Sequence, residues 1–166
     1  EVYKKAPEYK LVLIGQAKKG DEKYLRYLRK LSRGYAIKIL ENLPIEKLRN
    51  YYSKSSIYWH ATGFGEDEIK NPEKMEHFGI ATVEASAAGA APVVINKGGQ
   101  KEIVEEGKNG LLWTTKSQLF DTTLSVISDK DKLDKLKNGA IRNSRRFSIE
   151  KFLESYEKII FHFGRF

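Results

Sequence analysis

Five short apolar runs, each closed by a glycine, a turn or a polar segment, constrain this chain more than any other feature. They lie at residues 10–15 (KLVLIG), 35–40 (YAIKIL), 56–60 (SIYWH), 92–96 (PVVIN) and 111–113 (LLW). Runs of this length suit buried parallel strands. Between the first two, Tyr24, Leu25, Leu28 and Leu31 fall at helical spacing over residues 21–33, with a basic outer face, Asp21 as the cap and Gly34 as the stop. Pro44 sits near the first turn of a helix over 45–54. Further helices are predicted over 77–88 and 100–106, and Lys108-Asn109-Gly110 reads as a turn. Beyond residue 113 the chain is helical: 117–127, 131–147, and a last helix capped by Ser148 that carries Phe152, Tyr156, Ile159 and Ile160. Strand and helix alternate through the first two-thirds. The predicted class is therefore α/β, a Rossmann-like doubly wound parallel sheet with helices on both faces and a helical C-terminal tail. Residues 61–75 fit neither period and read as a loop of about fifteen residues, a length that is uncommon and often functional.

Composition narrows what such a sheet can serve. Hydrophobic content of 40% and charged content of 31% over 166 residues describe one globular domain. The absence of cysteine excludes disulfides and thiolate metal sites and fits a cytoplasmic setting. No apolar run approaches the roughly 20 residues of a membrane span. Thirty basic against 22 acidic residues give a formal charge of +8, which favours anionic partners. The lysines are scattered and there is no aromatic RNA-binding signature, so nucleic acid is not the expected partner. The opening EVYKKAPEYK, without Met or a signal-peptide pattern, reads as the start of a fragment.

The candidate chemistry concentrates at residues 76–99, EHFGIATVEASAAGAAPVVINKGG. A helix beginning at 77 would present unpaired N–H groups at its N-terminus, where anions are favoured. Gly79 removes the side chain that would hold a phosphate off the backbone. Ala81, Ala85, Ala87, Ala88 and Gly89 let the helix sit close to the sheet; this is equally what a tightly packed structural helix would show. Glu76 and Glu84, about two turns apart, would share one side of that helix. A Glu buried unpaired among alanines is costly, so Glu84 either accepts hydrogen bonds, for which sugar or ribose hydroxyls are suitable, or faces solvent. Neither GxGxxG nor GxxxxGK[ST] occurs in KLVLIGQAKKGD.

The ordered string E-H-F-G-I-A-T-V-E, A-A-G, P-V-V, G-G-x-x-E and N-G-L-L, with WHATGFGE before it, resembles the signature of the retaining glycosyltransferases of family 4, in the branch of mannosyltransferases that act on dolichol-linked oligosaccharides. The resemblance covers residues 10–113. It implies the C-terminal, donor-binding half of a two-domain GT-B enzyme that transfers a hexose, with mannose favoured, from a GDP- or UDP-sugar to a glycan or lipid-linked acceptor. By that resemblance Glu76 is the catalytic residue, contacting donor-sugar hydroxyls. The set His77, Phe78, Gly79 and Ile80 holds the donor, the last three through diphosphate contacts of their amides. Glu84 takes the ribose, and Asn42, Leu43 and Pro44 pack on the base. Gly98 and Gly99 form a glycine turn near the donor, followed by the acidic Glu102. His60 either faces the sugar or is a hydrogen-bonded structural histidine. No cofactor and no metal are expected beyond the nucleotide sugar.

Several family features are missing. The resemblance implies a further first strand with an Arg/Lys pair for the diphosphate, and an N-terminal acceptor domain. Lys18 and Lys19 follow a different strand and do not replace that pair. Residues 1–166 are thus expected to be a single nucleotide-sugar-binding domain, inactive in isolation, with the acceptor bound by the missing domain. Phe161, Phe163 and Phe166 would be apolar surface awaiting that domain, and the full-length enzyme could associate peripherally with the cytoplasmic face of a membrane. The alternative is a non-catalytic nucleotide- or phosphate-binding module of the same fold.

Overall fold

The computed structural model describes residues 2–163, the side chain of Phe163 excepted. All five expected strands form, with ends that match to within two residues: β1 Leu11–Gly15, β2 Ile37–Glu41, β3 Ile57–His60, β4 Ala91–Ile95 and β5 Leu111–Trp113. The helices are α1 Val2–Lys5, α2 Glu22–Leu31, α3 Ile45–Lys54, α4 Ile80–Ala87, α5 Gln100–Ile103, α6 Lys116–Ile127, α7 Lys130–Ser144 and α8 Ile149–Phe163. The short α1 has no counterpart in the sequence reading.

The strands pair in parallel, as their apolar composition requires, but in two pieces. β1 pairs with β2, and β4 lies between β3 and β5. Every residue of β4 is buried. Ala91, Val93 and Ile95 pack against Val126 of α6 and Leu133 and Leu136 of α7. Val94 turns the other way, to Ile103 of α5 and Val83 of α4. The sheet is therefore covered on both faces, the doubly wound arrangement. Each such side chain contributes about 1.5–3 kcal/mol when fully buried, so stability is centred on β4. The Trp59 indole N–H donates to Thr123 Oγ1 at 3.0 Å, tying β3 to α6. The β1–β2 pair has no fully buried residue, and Leu13 is 36% exposed.

Local chemistry sets the helix ends. Thr115 and Gln118 form a reciprocal capping box on α6. Asp129, in the string Asp129-Lys130-Asp131, accepts the Lys132 amide and caps α7. Ser148 caps α8 as expected, accepting the Lys151 amide at 3.3 Å. Asp21 does not cap α2; its carboxylate accepts the Lys18 amide at 2.7 Å and cinches the preceding loop. The helix predicted over 131–147 ends at Ser144 and tightens into a 3-10 turn, Arg145–Phe147. That predicted over 100–106 stops at Ile103, because Asn109 accepts the Glu105 amide and donates to the Ile103 carbonyl.

Candidate functional site

Helical spacing predicts a helix from His77, but α4 starts at Ile80. Gly79 is its cap, in the left-handed region at φ 102°, and its carbonyl accepts the Thr82 and Val83 amides. Glu76 consequently lies in the loop before the helix. The expectation that Glu76 and Glu84 share one helical side is overturned, because the left-handed residue between them breaks the period.

The loop is fixed from below by the glycine pair after β4. The Gly99 amide donates to the Glu76 carbonyl at 2.8 Å. A Cβ on Gly99 would stand 2.5 Å from the His77 carbonyl oxygen and 2.6 Å from that of Phe78, and one on Gly98 would run into the Glu76 carbonyl. Glu76, His77, Phe78, Gly79, Gly98 and Gly99 are thereby brought together beyond the carboxyl ends of β3 and β4, where open α/β sheets bind ligands. Glu76 Oε1 accepts the Phe78 amide at 3.4 Å, and Oε2 lies 3.5 Å from Nε2 of His60, the last residue of β3. Burial pushes the His60 imidazole below its ordinary 6.5 against the opposing pull of Glu76, so the ring is neutral at pH 7. Its Nδ1 is buried and has no hydrogen-bond partner among the described residues. His77 turns away to the Pro72 carbonyl at 3.2 Å, Phe78 packs edge-on against Phe147, and the Ile80 side chain is exposed.

Glu84 lies on the exposed face of α4, so the argument from burial does not apply to it; of the two readings, the solvent-facing one is observed. Its charge adds to burial in raising the phenols of Tyr52 and Tyr58. Asn42 adopts φ 51°, and its amide clasps Ala17, accepting from the N–H at 3.0 Å and donating to the carbonyl at 3.2 Å. Asn42 and half-buried Leu43 follow β2, in the other sheet piece, and no hydrogen bond joins them to the Glu76 loop among the described residues. Glu102 is exposed.

Two features escape the sequence reading. Gln100 is fully buried: its Oε1 accepts the Thr82 hydroxyl at 2.8 Å, while Nε2, under Gly79, has no acceptor among the described residues. In the string GGQKE it reads as one more polar loop residue, and no local signal marks it. Residues 61–75, expected to be structureless, include a 3-10 turn at Pro72–Lys74 and are tied down. The Lys97 ammonium donates to the carbonyls of Gly63 and Glu66, and Glu68 accepts both the Gly98 amide and Lys101, each at 2.8 Å. The amides of Gly79, Ile80 and Ala81 donate to no group among the described residues, as the first turn of a helix dictates. The site thus offers free N–H groups, a fixed carboxylate and a neutral imidazole at one place, a combination suited to an anion joined to a polyol.

Comparison with known proteins adds the family. The profile described as "Glycosyl transferases group 1" matches residues 1–143. The human GDP-Man:Man(3)GlcNAc(2)-PP-Dol alpha-1,2-mannosyltransferase is 32% identical over 164 residues, covering 93% of this chain and 30% of that protein. This chain therefore spans about a third of the relative's length. Anabaena Alr3699/HepE, in a complex with UDP-glucose, is 25% identical with a TM-score of 0.74, over 93% of this chain and 41% of that one. The C-terminal domain of a group 1 glycosyl transferase from Francisella tularensis shares the fold at 22% identity and a TM-score of 0.72, over 89% of this chain and 74% of that one.

Proposed function

Because the chain belongs to the group 1 glycosyl transferases, we propose that it is the donor-binding half of a retaining hexosyltransferase, holding a nucleotide sugar for an acceptor bound elsewhere in the full-length protein. The observation that carries the reading is the pinned Glu76 loop: its carboxylate lies against His60, and free amides of α4 follow directly. In this reading Glu76 orients the donor-sugar hydroxyls and His60 positions Glu76. The Phe78, Gly79 and Ile80 amides take the diphosphate, and Glu84 on its open face takes the ribose. The base packs on the backbone of Asn42 and Leu43, since the Asn42 amide is engaged with Ala17. Rate enhancement comes from holding the departing diphosphate and aligning the sugar, a logic that calls for no metal.

GDP-mannose is the donor favoured by the mannosyltransferase relatives, with a UDP-sugar the competitor suggested by the Anabaena complex. A glycan or lipid-linked acceptor would bind the remainder of the protein, towards which we assign the exposed apolar face of α8. No helix among the described residues is long and apolar enough to cross a membrane. Titration calorimetry of the full-length protein with GDP, UDP and their sugars tests the assignment. Glu84→Ala is expected to weaken nucleotide binding at least tenfold, from the loss of charge-assisted hydrogen bonds of about 1.5–3 kcal/mol. Unchanged affinity in that variant would remove the ribose role, and no nucleotide binding by the wild type would remove the function.

A further inference from the structure

Gln100 opens α5 directly after Gly99, yet its side chain runs inward and is fully buried. Two contacts fix where it lies. Its Oε1 accepts the hydroxyl of Thr82, itself fully buried in the first turn of α4, at 2.8 Å. The Tyr58 phenol of β3 is hydrogen-bonded to the same Thr82 side chain, so three elements meet at that hydroxyl. The other end of the amide, Nε2, lies beneath the cap of α4. A Cβ on Gly79 would stand 2.6 Å from it and 2.9 Å from Cδ1 of Ile103. Gln100 and Ile103 are thus the floor on which the left-handed Gly79 rests.

Nε2 has no acceptor among the described residues. The Gly79 carbonyl does not take it, being spent on the Thr82 and Val83 amides. A buried donor left unpaired lowers stability, and an apolar side chain of similar length would avoid that cost. Proteins keep such local violations mainly where function uses them. Here the negative end of the amide is quenched by Thr82 and the positive end is bare, buried where water does not screen it. It is directed at the cap from which the amides of Gly79, Ile80 and Ala81 emerge, none of them bonded among the described residues. Its field therefore adds to that of the helix N-terminus. Because the side chain is already fixed, it needs no reorganisation when an anion arrives.

We propose that Gln100 is a positioning residue of this site: held by Thr82, its unspent N–H end supports the Gly79 cap and strengthens the attraction of the first-turn amides for a diphosphate. The inference rests on the donor-binding reading for the identity of that anion, the diphosphate of a nucleotide sugar. Gln100 touches no ligand itself and acts through the Gly79 backbone. A departing diphosphate carries more charge than the bound donor, so the same dipole favours its release from the sugar.

Calorimetric titration of the full-length protein with inorganic pyrophosphate, GDP and UDP tests it, on the wild type and three variants. Gln100→Met keeps the length and removes the dipole, Thr82→Val frees the amide without removing it, and Thr82→Ser retains the hydroxyl. The first two are expected to weaken pyrophosphate binding about three- to tenfold, and Thr82→Ser to stay within about twofold of the wild type. The urea midpoint of Gln100→Met is expected to hold or rise, because an unpaired buried donor has gone. A purely structural glutamine gives the opposite pattern, a lowered midpoint with unchanged pyrophosphate affinity. That result, or a Met variant that does not fold, would overturn the proposal. The two readings fail separately. Pyrophosphate binding that follows the variants, with no binding of GDP or UDP, keeps Gln100 in its role and removes the donor reading. Nucleotide and pyrophosphate binding that ignore the variants do the reverse, and a wild type that binds none of the three removes both.

Discussion

Gly99 holds the site's geometry with no side chain at all. The carbonyls of His77 and Phe78 occupy the space a Cβ would need, and backbone cannot step aside as a flexible side chain can. Gly99→Ala is expected to destabilise the protein by about 1–3 kcal/mol, as overpacking does, and to push Glu76 away from His60. Urea unfolding and nucleotide titration of the same variant check the two effects, and a variant of native stability would refute the close packing. His60 imposes a pH dependence. Buried and neutral, it binds fewer protons than the unfolded chain between its depressed value and 6.5. Its contribution to stability is therefore fully present above 6.5 and is lost as pH falls through that window. His60→Gln is expected to flatten the change in urea midpoint between about pH 5.5 and 7.5. Glu76 and the glycine pair were legible because motif order survives in a string of letters. Gln100 was not, because its burial arises only when α4 and α5 approach one another in space.

Elements were legible where hydrophobic period and strand length agree, as in KLVLIG and PVVIN. Their ends were less so. The α4 start escaped because apolar spacing through Phe78 and Ile80 is indifferent to the left-handed backbone at Gly79. The tertiary surroundings also decide signs that propensity gets wrong. Gly139 lies inside α7, where Gly→Ala normally stabilises a helix by about 0.4–1 kcal/mol. Here a Cβ would collide with the Lys108 carbonyl, because α7 lies directly on that turn. Gly139→Ala is accordingly expected to lower stability by about 1–3 kcal/mol net of the propensity gain, read from chemical denaturation. Thr115→Ala, removing one half of the α6 capping box, is expected to cost about 1 kcal/mol by the same measurement.

For the whole molecule, strand–helix alternation foretold a parallel sheet covered on both faces, and β4 with its two helical layers bears that out. That the sheet comes in two pieces was not legible, since local pattern says nothing about which strands become neighbours. The apolar surface foreseen at the C-terminus is observed on α8: Phe152, Tyr156, Ile159, Ile160 and Phe161 are exposed, while Phe166 and the side chain of Phe163 lie outside the described residues. Because these side chains are largely solvent-exposed, a Phe152→Ser, Ile159→Ser double variant is expected to keep its stability within about 0.5 kcal/mol. Light scattering is expected to show less self-association of the 166-residue chain, and a large loss of stability would mean the face is part of the core. The tethers on residues 61–75 have a consequence in time. Lys97 and Glu68 fasten that segment before any ligand arrives, so encounter is not followed by a slow closing step. Association should then be governed by diffusion and by the attraction of a +8 chain for an anion, with an on-rate that falls as salt is added, while the lifetime of the complex carries the discrimination among donors.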